Sequence, residues 1–115
     1  MDSILTSIKK MLGIIEEDES FDIDIIIHIN TAFSTLTQLG VGPKEGFVIR
    51  DKTTLWTDFI DDIRLENVRS YIYLKVRQVF DPPTNSSVLD AISRQISELE
   101  WRMNITAEKL DERMT

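Results

Sequence analysis

The chain has 115 residues, of which 42% are hydrophobic and 29% charged, the proportions of one soluble folded domain rather than of a disordered chain. Its 20 acidic and 13 basic residues give a net charge of -7, which opposes nonspecific attraction to nucleic-acid phosphates. The absence of cysteine excludes disulfides and thiolate chemistry, and no apolar run approaches the roughly 20 residues that a membrane-spanning helix needs.

The N-terminal part of the sequence predicts two helices. Asp2 and Ser3 are suitable N-caps for a short first helix with one apolar face, which ends at the next glycine. An acidic connector follows, and Ser20 or Asp22 is expected to cap a second helix. The isoleucine-rich IDIDIIIHI segment alone also fits a strand, but the length of the apolar pattern favours a helix.

The stretch from Leu65 to Pro83, LENVRSYIYLKVRQVFDPP, predicts a central helix preceded by a short helical turn. Its apolar residues recur at steps of three and four. Tyr71 and Tyr73 widen that surface beyond one stripe, which indicates packing on several sides or against a second subunit. The helix is expected to end near Phe80 or Asp81, because the two prolines that follow cannot continue it.

The sequence after the prolines predicts a loop and cap at residues 84–87 and then a long last helix. Its apolar positions form a heptad-like seam over about two heptads, for which packing within the chain is the expected use. Trp101 lies outside that seam, beside Arg102, and both residue types are favoured at protein interfaces. The seam residues are Leu89, Ile92, Ile96, Leu99 and Met103.

These elements predict an all-α fold, a small helical domain of about four helices with a turn-rich loop between the second and third. We assign residues 1–107 to this domain and residues 108–115 to a charged, flexible C-terminal tail. The apolar residues of the tail are Leu110 and Met114.

No catalytic constellation is evident, so we predict no enzyme and no cofactor. His28 is the single histidine, which excludes a histidine pair for a metal ion. The carboxylates from Glu16 to Asp24 fall between predicted helices rather than at helical spacing on two facing helices, as a magnesium site requires. The segment GVGPKEG lacks the Gly-Lys-Ser/Thr ending of a phosphate-binding loop.

Segments in a particular order carry a family resemblance: LTSIKKMLGI, FSTLTQLGVGP, LWTDFI, SYIYLKVRQVFDPP and ISRQISELEWRMN. Together they resemble the small head-tail connector proteins of tailed bacteriophages, found especially in phages and prophages of low-GC Gram-positive bacteria. The resemblance implies a structural virion protein made in the host cytoplasm. It implies a ring, twelvefold in the family, that docks on the portal protein and joins the packaged capsid to the tail or a stopper protein. DNA would pass through the lumen without tight binding.

The resemblance and the apolar patterns together define an expected interface with the portal or with neighbouring copies. The family implies that the C-terminal region reaches the portal, for which the tail supplies two apolar anchors. The turn-rich loop at residues 40–54 is a second candidate docking arm. The expected interface residues are Tyr71, Tyr73, Leu89, Ile96, Trp101, Arg102, Leu110 and Met114.

Two other functions stay open from the sequence. A small helical adaptor or regulator would capture one partner through the last helix. A magnesium-dependent hydrolase would use the acidic residues near Glu16 and Glu17.

Overall fold

The helices follow one another with no strand between them in the described part of the chain. The computed structural model describes the backbone of residues 3–114 and the side chains of residues 3–109. The predicted all-α fold is confirmed, with α3 as the short helical turn before the central helix. The elements are α1 (Ile4–Met11), α2 (Asp22–Gln38), α3 (Trp56–Phe59), α4 (Leu65–Val79) and α5 (Ser86–Met114).

Helix α1 has the cap and the stop that the sequence predicts. The Ser3 hydroxyl accepts a hydrogen bond of 3.2 Å from the backbone N–H of Thr6, which satisfies one of the free amides of the first turn. Asp2, the alternative cap, lies outside the described residues. Gly13 ends the helix with a φ of 80°, a left-handed conformation that favours glycine.

Helix α2 begins differently from the prediction. The expected cap by Ser20 or Asp22 was wrong, because the N-cap is Phe21 and no side chain caps the helix start. The Asp22 carboxylate instead lies 2.9 Å from the ammonium group of Lys9. The ring of Phe21 packs edge-on against Phe80, with the ring centroids 5.5 Å apart, so the start of α2 lies beside the end of α4.

The loop after α2 is anchored in the core. Beyond Gly40, the N–H of Val41 donates to the carbonyl of Leu36 at 2.9 Å, and both side chains are fully buried. The side chain of Asn30 then accepts from the N–H of Ile49 at 2.8 Å and donates to its carbonyl at 2.9 Å. The loop therefore has its own contacts with the core, and its role as a docking arm stays a prediction.

Helix α4 is the centre of the domain, because it packs against both α2 and α5. Tyr71, Ile72 and Val76 are fully buried on this helix. The helix ends as predicted, with Phe80 as its C-cap and Asp81 in the left-handed region at a φ of 49°.

Helix α5 runs antiparallel to α4 along one side of the domain. Asn85 caps it by accepting a hydrogen bond of 2.8 Å from the N–H of Ser87. At 29 residues it is about 43 Å long, close to the largest dimension of the molecule, 46 Å. Its backbone stays helical through residues 108–114, and the flexibility of the C-terminal tail remains a prediction. The seam packs within the chain as expected: Ile92, Ile96 and Met103 are buried in the core, and Leu99 packs against it.

Candidate interface surfaces

An open groove of about 380 Å³ lies between α1, α4 and α5. Its floor is apolar and is made by Met11, Tyr73, Leu74 and Leu99. Met11, the last residue of α1, is 39% exposed. The side chains of Tyr73, Leu74 and Leu99 are half-buried. We call this surface the α1/α4/α5 groove; it is a concave apolar surface that is open to solvent.

The rim of the α1/α4/α5 groove is polar. Arg102 forms a salt bridge of 2.6 Å with Glu98 one turn earlier on α5, and both side chains are more than half exposed. An exposed pair of this kind contributes only about 0.3–0.5 kcal/mol to stability. Breaking this pair to contact a partner therefore costs little stability. Ser70 and Gln95 complete the rim with neutral hydrogen-bonding groups.

The structure brings two of the expected interface residues together in this groove, Tyr73 on the floor and Arg102 on the rim. Trp101 is 65% exposed and lies next to Arg102 on α5. Leu89 is half-buried near the start of the same helix. The side chains of Leu110 and Met114 lie outside the described residues.

Tyr71 and Ile96 of the expected set lie in the core, at 0% and 6% exposure. The Tyr71 hydroxyl donates a hydrogen bond of 2.6 Å to Oε2 of Glu100 on α5. Burial, with the adjacent carboxylate, raises the pKa of Tyr71 above its usual range. In the single chain both residues therefore belong to the core, and the interface role of the whole set remains a prediction.

A buried lysine, which the sequence analysis missed, organises the acidic connector between α1 and α2. Lys9 is 3% exposed, and its ammonium group donates to the carbonyls of Glu16 at 2.9 Å and Asp18 at 2.7 Å. It also pairs with Asp22, so its charge is neutralised inside the fold. The sequence did indicate this burial, because Lys9 follows Leu5 by four residues and therefore lies on the apolar face of α1.

Two exposed isoleucines on α2 were also missed. Ile23 is 76% exposed and Ile27 is 55% exposed, one helical turn further along. The core side of α2 instead buries Ile25 and Ile29. The sequence did indicate this exposure, because IDIDIIIHI contains more isoleucines than one helical face can bury.

The described residues include no group of three or more His, Asp or Glu side chains placed to hold a metal ion. In the same part of the chain, no helix combines the length and the apolar character that crossing a membrane requires.

One comparison with known proteins gives a match. The family model described as phage connector protein matches residues 4–110, from the first residue of α1 into the last turns of α5. Searches among curated proteins and among solved structures found no match.

Proposed function

The chain belongs to the phage connector protein family, and from this premise we propose that it forms a ring that docks on the portal and joins the packaged capsid to the tail or a stopper protein. Membership makes it a structural phage protein that associates with other head or tail components of the virion. The observation that carries the proposal is the extent of the match, because residues 4–110 include the core and nearly all of α5.

The shape and surface of the chain support assembly with other proteins. The molecule is a flat body of 46 × 35 × 21 Å, with the α1/α4/α5 groove on one part and the exposed isoleucines of α2 on another. Different surfaces on one protomer suit head-to-tail contacts, which close into a ring when the rotation between copies allows it. We propose twelve copies in that ring.

We propose that the outer face of α5 and the C-terminal tail contact the portal. Trp101 is 65% exposed on that face, and a large exposed aromatic side chain is a typical anchor in a protein interface. The helical backbone of α5 continues to Met114, so residues 108–114 belong to the same helix as Trp101.

The electrostatics support a lumen through which DNA slides. A net charge of -7 disfavours persistent contacts with the phosphate backbone. We expect no tight binding of duplex DNA at physiological salt. Salt-dependent tight binding in a filter-binding assay would contradict this part of the proposal.

Electron microscopy of purified portal protein mixed with this chain tests the proposed function. We expect image averages that show an added ring of twelve copies on the portal. A portal without added density would contradict the connector function, whereas a one-to-one complex with an unrelated cytosolic protein would support the adaptor alternative.

Trp101→Ala tests the portal-docking face. The substitution should leave the fold intact because the side chain is largely exposed, and it should weaken portal binding by about thirtyfold if Trp101 is an anchor worth about 2 kcal/mol. Val88→Ala, a change at a 45% exposed apolar residue near the other end of α5, is the matched control and should bind normally. Equal binding by the wild type and Trp101→Ala would exclude this face.

A further inference from the structure

The α1/α4/α5 groove and the exposed isoleucines of α2 lie on different parts of the molecule. Ile23 and Ile27 are exposed on α2, and the opposite side of α2 packs against α4. The groove lies where α4 meets α1 and α5. Contact between these two surfaces therefore requires two copies of the chain.

The two surfaces are complementary in shape and polarity. Ile23 and Ile27 form a short apolar ridge, one helical turn long, which we call the isoleucine pair. The groove offers an open volume of about 380 Å³ above an apolar floor, enough to receive several aliphatic side chains. Burial of both surfaces would remove from water some of the largest exposed apolar side chains of the fold.

The groove lining itself contains one acidic and one basic side chain, Glu98 and Arg102, but the segment that carries the isoleucine pair and helix α4 have opposite formal charges. Residues 14–31, which contain the isoleucine pair, have six acidic residues and no lysine or arginine, a formal charge of -6. Helix α4, Leu65–Val79, has three basic residues and one acidic residue, a formal charge of +2. The acidic residues of the first segment are Glu16, Glu17, Asp18, Glu19, Asp22 and Asp24; the charged residues of α4 are Glu66, Arg69, Lys75 and Arg77.

Lys9 holds the acidic segment in one conformation before any partner arrives. Its bonds to the backbone of Glu16 and Asp18 fix the connector, and the side chains of Glu16, Glu17 and Glu19 remain exposed. A preordered segment loses little conformational entropy on binding, and its charge steers a basic surface toward it.

We propose that the isoleucine pair of one copy inserts into the α1/α4/α5 groove of the next copy. The inference rests on the proposed function, because it names the contact between neighbours in the ring. The contact joins two different surfaces, so each copy uses its pair toward one neighbour and its groove toward the other. The acidic segment of one copy then faces α4 of the next.

Disulfide trapping tests this contact cleanly, because the natural chain has no cysteine. Ile27→Cys places a thiol on the ridge, and Gln95→Cys places one on the groove rim. The two single-cysteine proteins are mixed in equal amounts with portal, oxidised and separated without reductant. We expect a cross-linked dimer that contains one chain of each variant. The control mixture pairs Ile27→Cys with Glu45→Cys, an exposed position in the loop after α2, and should give less than a tenth of that product.

A second variant tests the apolar contact without introducing a cysteine or an oxidation step. The double change Ile23→Ser and Ile27→Ser alters exposed side chains only, and we expect at least a tenfold increase in the concentration needed for half-maximal ring formation on the portal. Ile63→Ser is the control, because Ile63 is 86% exposed and lies outside both surfaces.

The outcomes separate this inference from the proposed function. Rings that form normally in the double variant, without cross-linking between positions 27 and 95, would overturn the inference and leave the connector function standing. A wild-type chain that forms no ring on the portal would overturn both.

Discussion

The hydroxyl of Tyr71 on α4 donates a hydrogen bond of 2.6 Å to the carboxylate of Glu100 on α5. Tyr71 is fully buried and Glu100 is half-buried, so this charge-assisted bond is partly shielded from water and joins the two helices. Tyr73 and Leu99, each close in sequence to one partner, lie on the floor of the α1/α4/α5 groove. The bond therefore fixes the spacing of two of the three helices that form the groove.

Tyr71→Phe should lower the free energy of unfolding by about 2 kcal/mol, because the carboxylate of Glu100 loses its donor in a partly buried setting. Urea unfolding followed by circular dichroism measures the loss. Tyr73→Phe removes the same hydroxyl from a half-buried tyrosine and should change stability by less than about 0.5 kcal/mol. Equal losses in the two variants would contradict a special role for the Tyr71–Glu100 bond.

The same pair predicts a loss of stability at alkaline pH. Burial, together with the hydrogen bond to Glu100 and its negative charge, raises the pKa of Tyr71 above the value of about 10 for an unfolded tyrosine. The folded chain thus holds this proton more tightly than the unfolded chain does. The resulting stabilisation is fully present below pH 10 and decreases as the pH rises above it.

Unfolding free energies measured between pH 8 and pH 11.5 should fall more steeply for the wild type than for Tyr71→Phe. The phenylalanine variant keeps all other titrating groups, so the difference between the two slopes isolates Tyr71. Parallel curves would show that Tyr71 has a similar pKa in the folded and unfolded states.

Local patterns were sufficient to predict the helices. Gly13 terminates α1, and the double proline after Asp81 ends α4, because each acts through its own backbone geometry. The prediction was wrong where contacts between residues far apart in the sequence determine the local structure. Asp22 does not cap α2 because Lys9, from the preceding helix, takes its carboxylate. The loop after α2 is anchored because Asn30 bonds the backbone of Ile49, 19 residues away.

For a similar reason, the sequence predicted only in part which of the expected interface residues are exposed, and their interface role stays a prediction. The spacing of the apolar residues predicted that α4 has a wide apolar surface, and Tyr73 does line the groove. It could not show that Tyr71, two residues earlier, is fully covered by neighbouring elements. The exposure of Ile23 and Ile27 likewise depends on which side of α2 faces α4, a tertiary fact that periodicity alone leaves open.

Lys9→Met should lower the free energy of unfolding by about 3 kcal/mol, because it leaves the Asp22 carboxylate without its cation and two connector carbonyls without their donor. Urea unfolding provides the measurement, with Lys52→Met at an exposed position as the control. The double variant Lys9→Met with Asp22→Asn should be less damaging than the sum of the two single changes, since their effects share one ion pair. Additive losses would mean that Lys9 acts through its other contacts.

Gly42 lies against the ring of Phe59, where a side chain has no room. Its φ of 85° lies in the left-handed region, and a Cβ atom added there would overlap the ring. Phe59 is itself fixed by two other rings, with centroid distances of 4.5 Å to Phe33 and 5.1 Å to Phe47. Any displacement of Phe59 therefore disturbs the aromatic cluster that anchors the loop after α2.

Gly42→Ala should lower the free energy of unfolding by about 2–4 kcal/mol, the combined effect of a positive φ and an overpacked core. Gly46→Ala is the matched control. Its φ is 96°, but nothing lies within 4 Å of an added Cβ, so only the backbone strain applies. We expect it to lose about 1 kcal/mol. Urea unfolding compares the two variants, and the aromatic proton resonances should shift in Gly42→Ala alone. Equal losses would show that the cluster accommodates the methyl group and that backbone strain accounts for the whole effect.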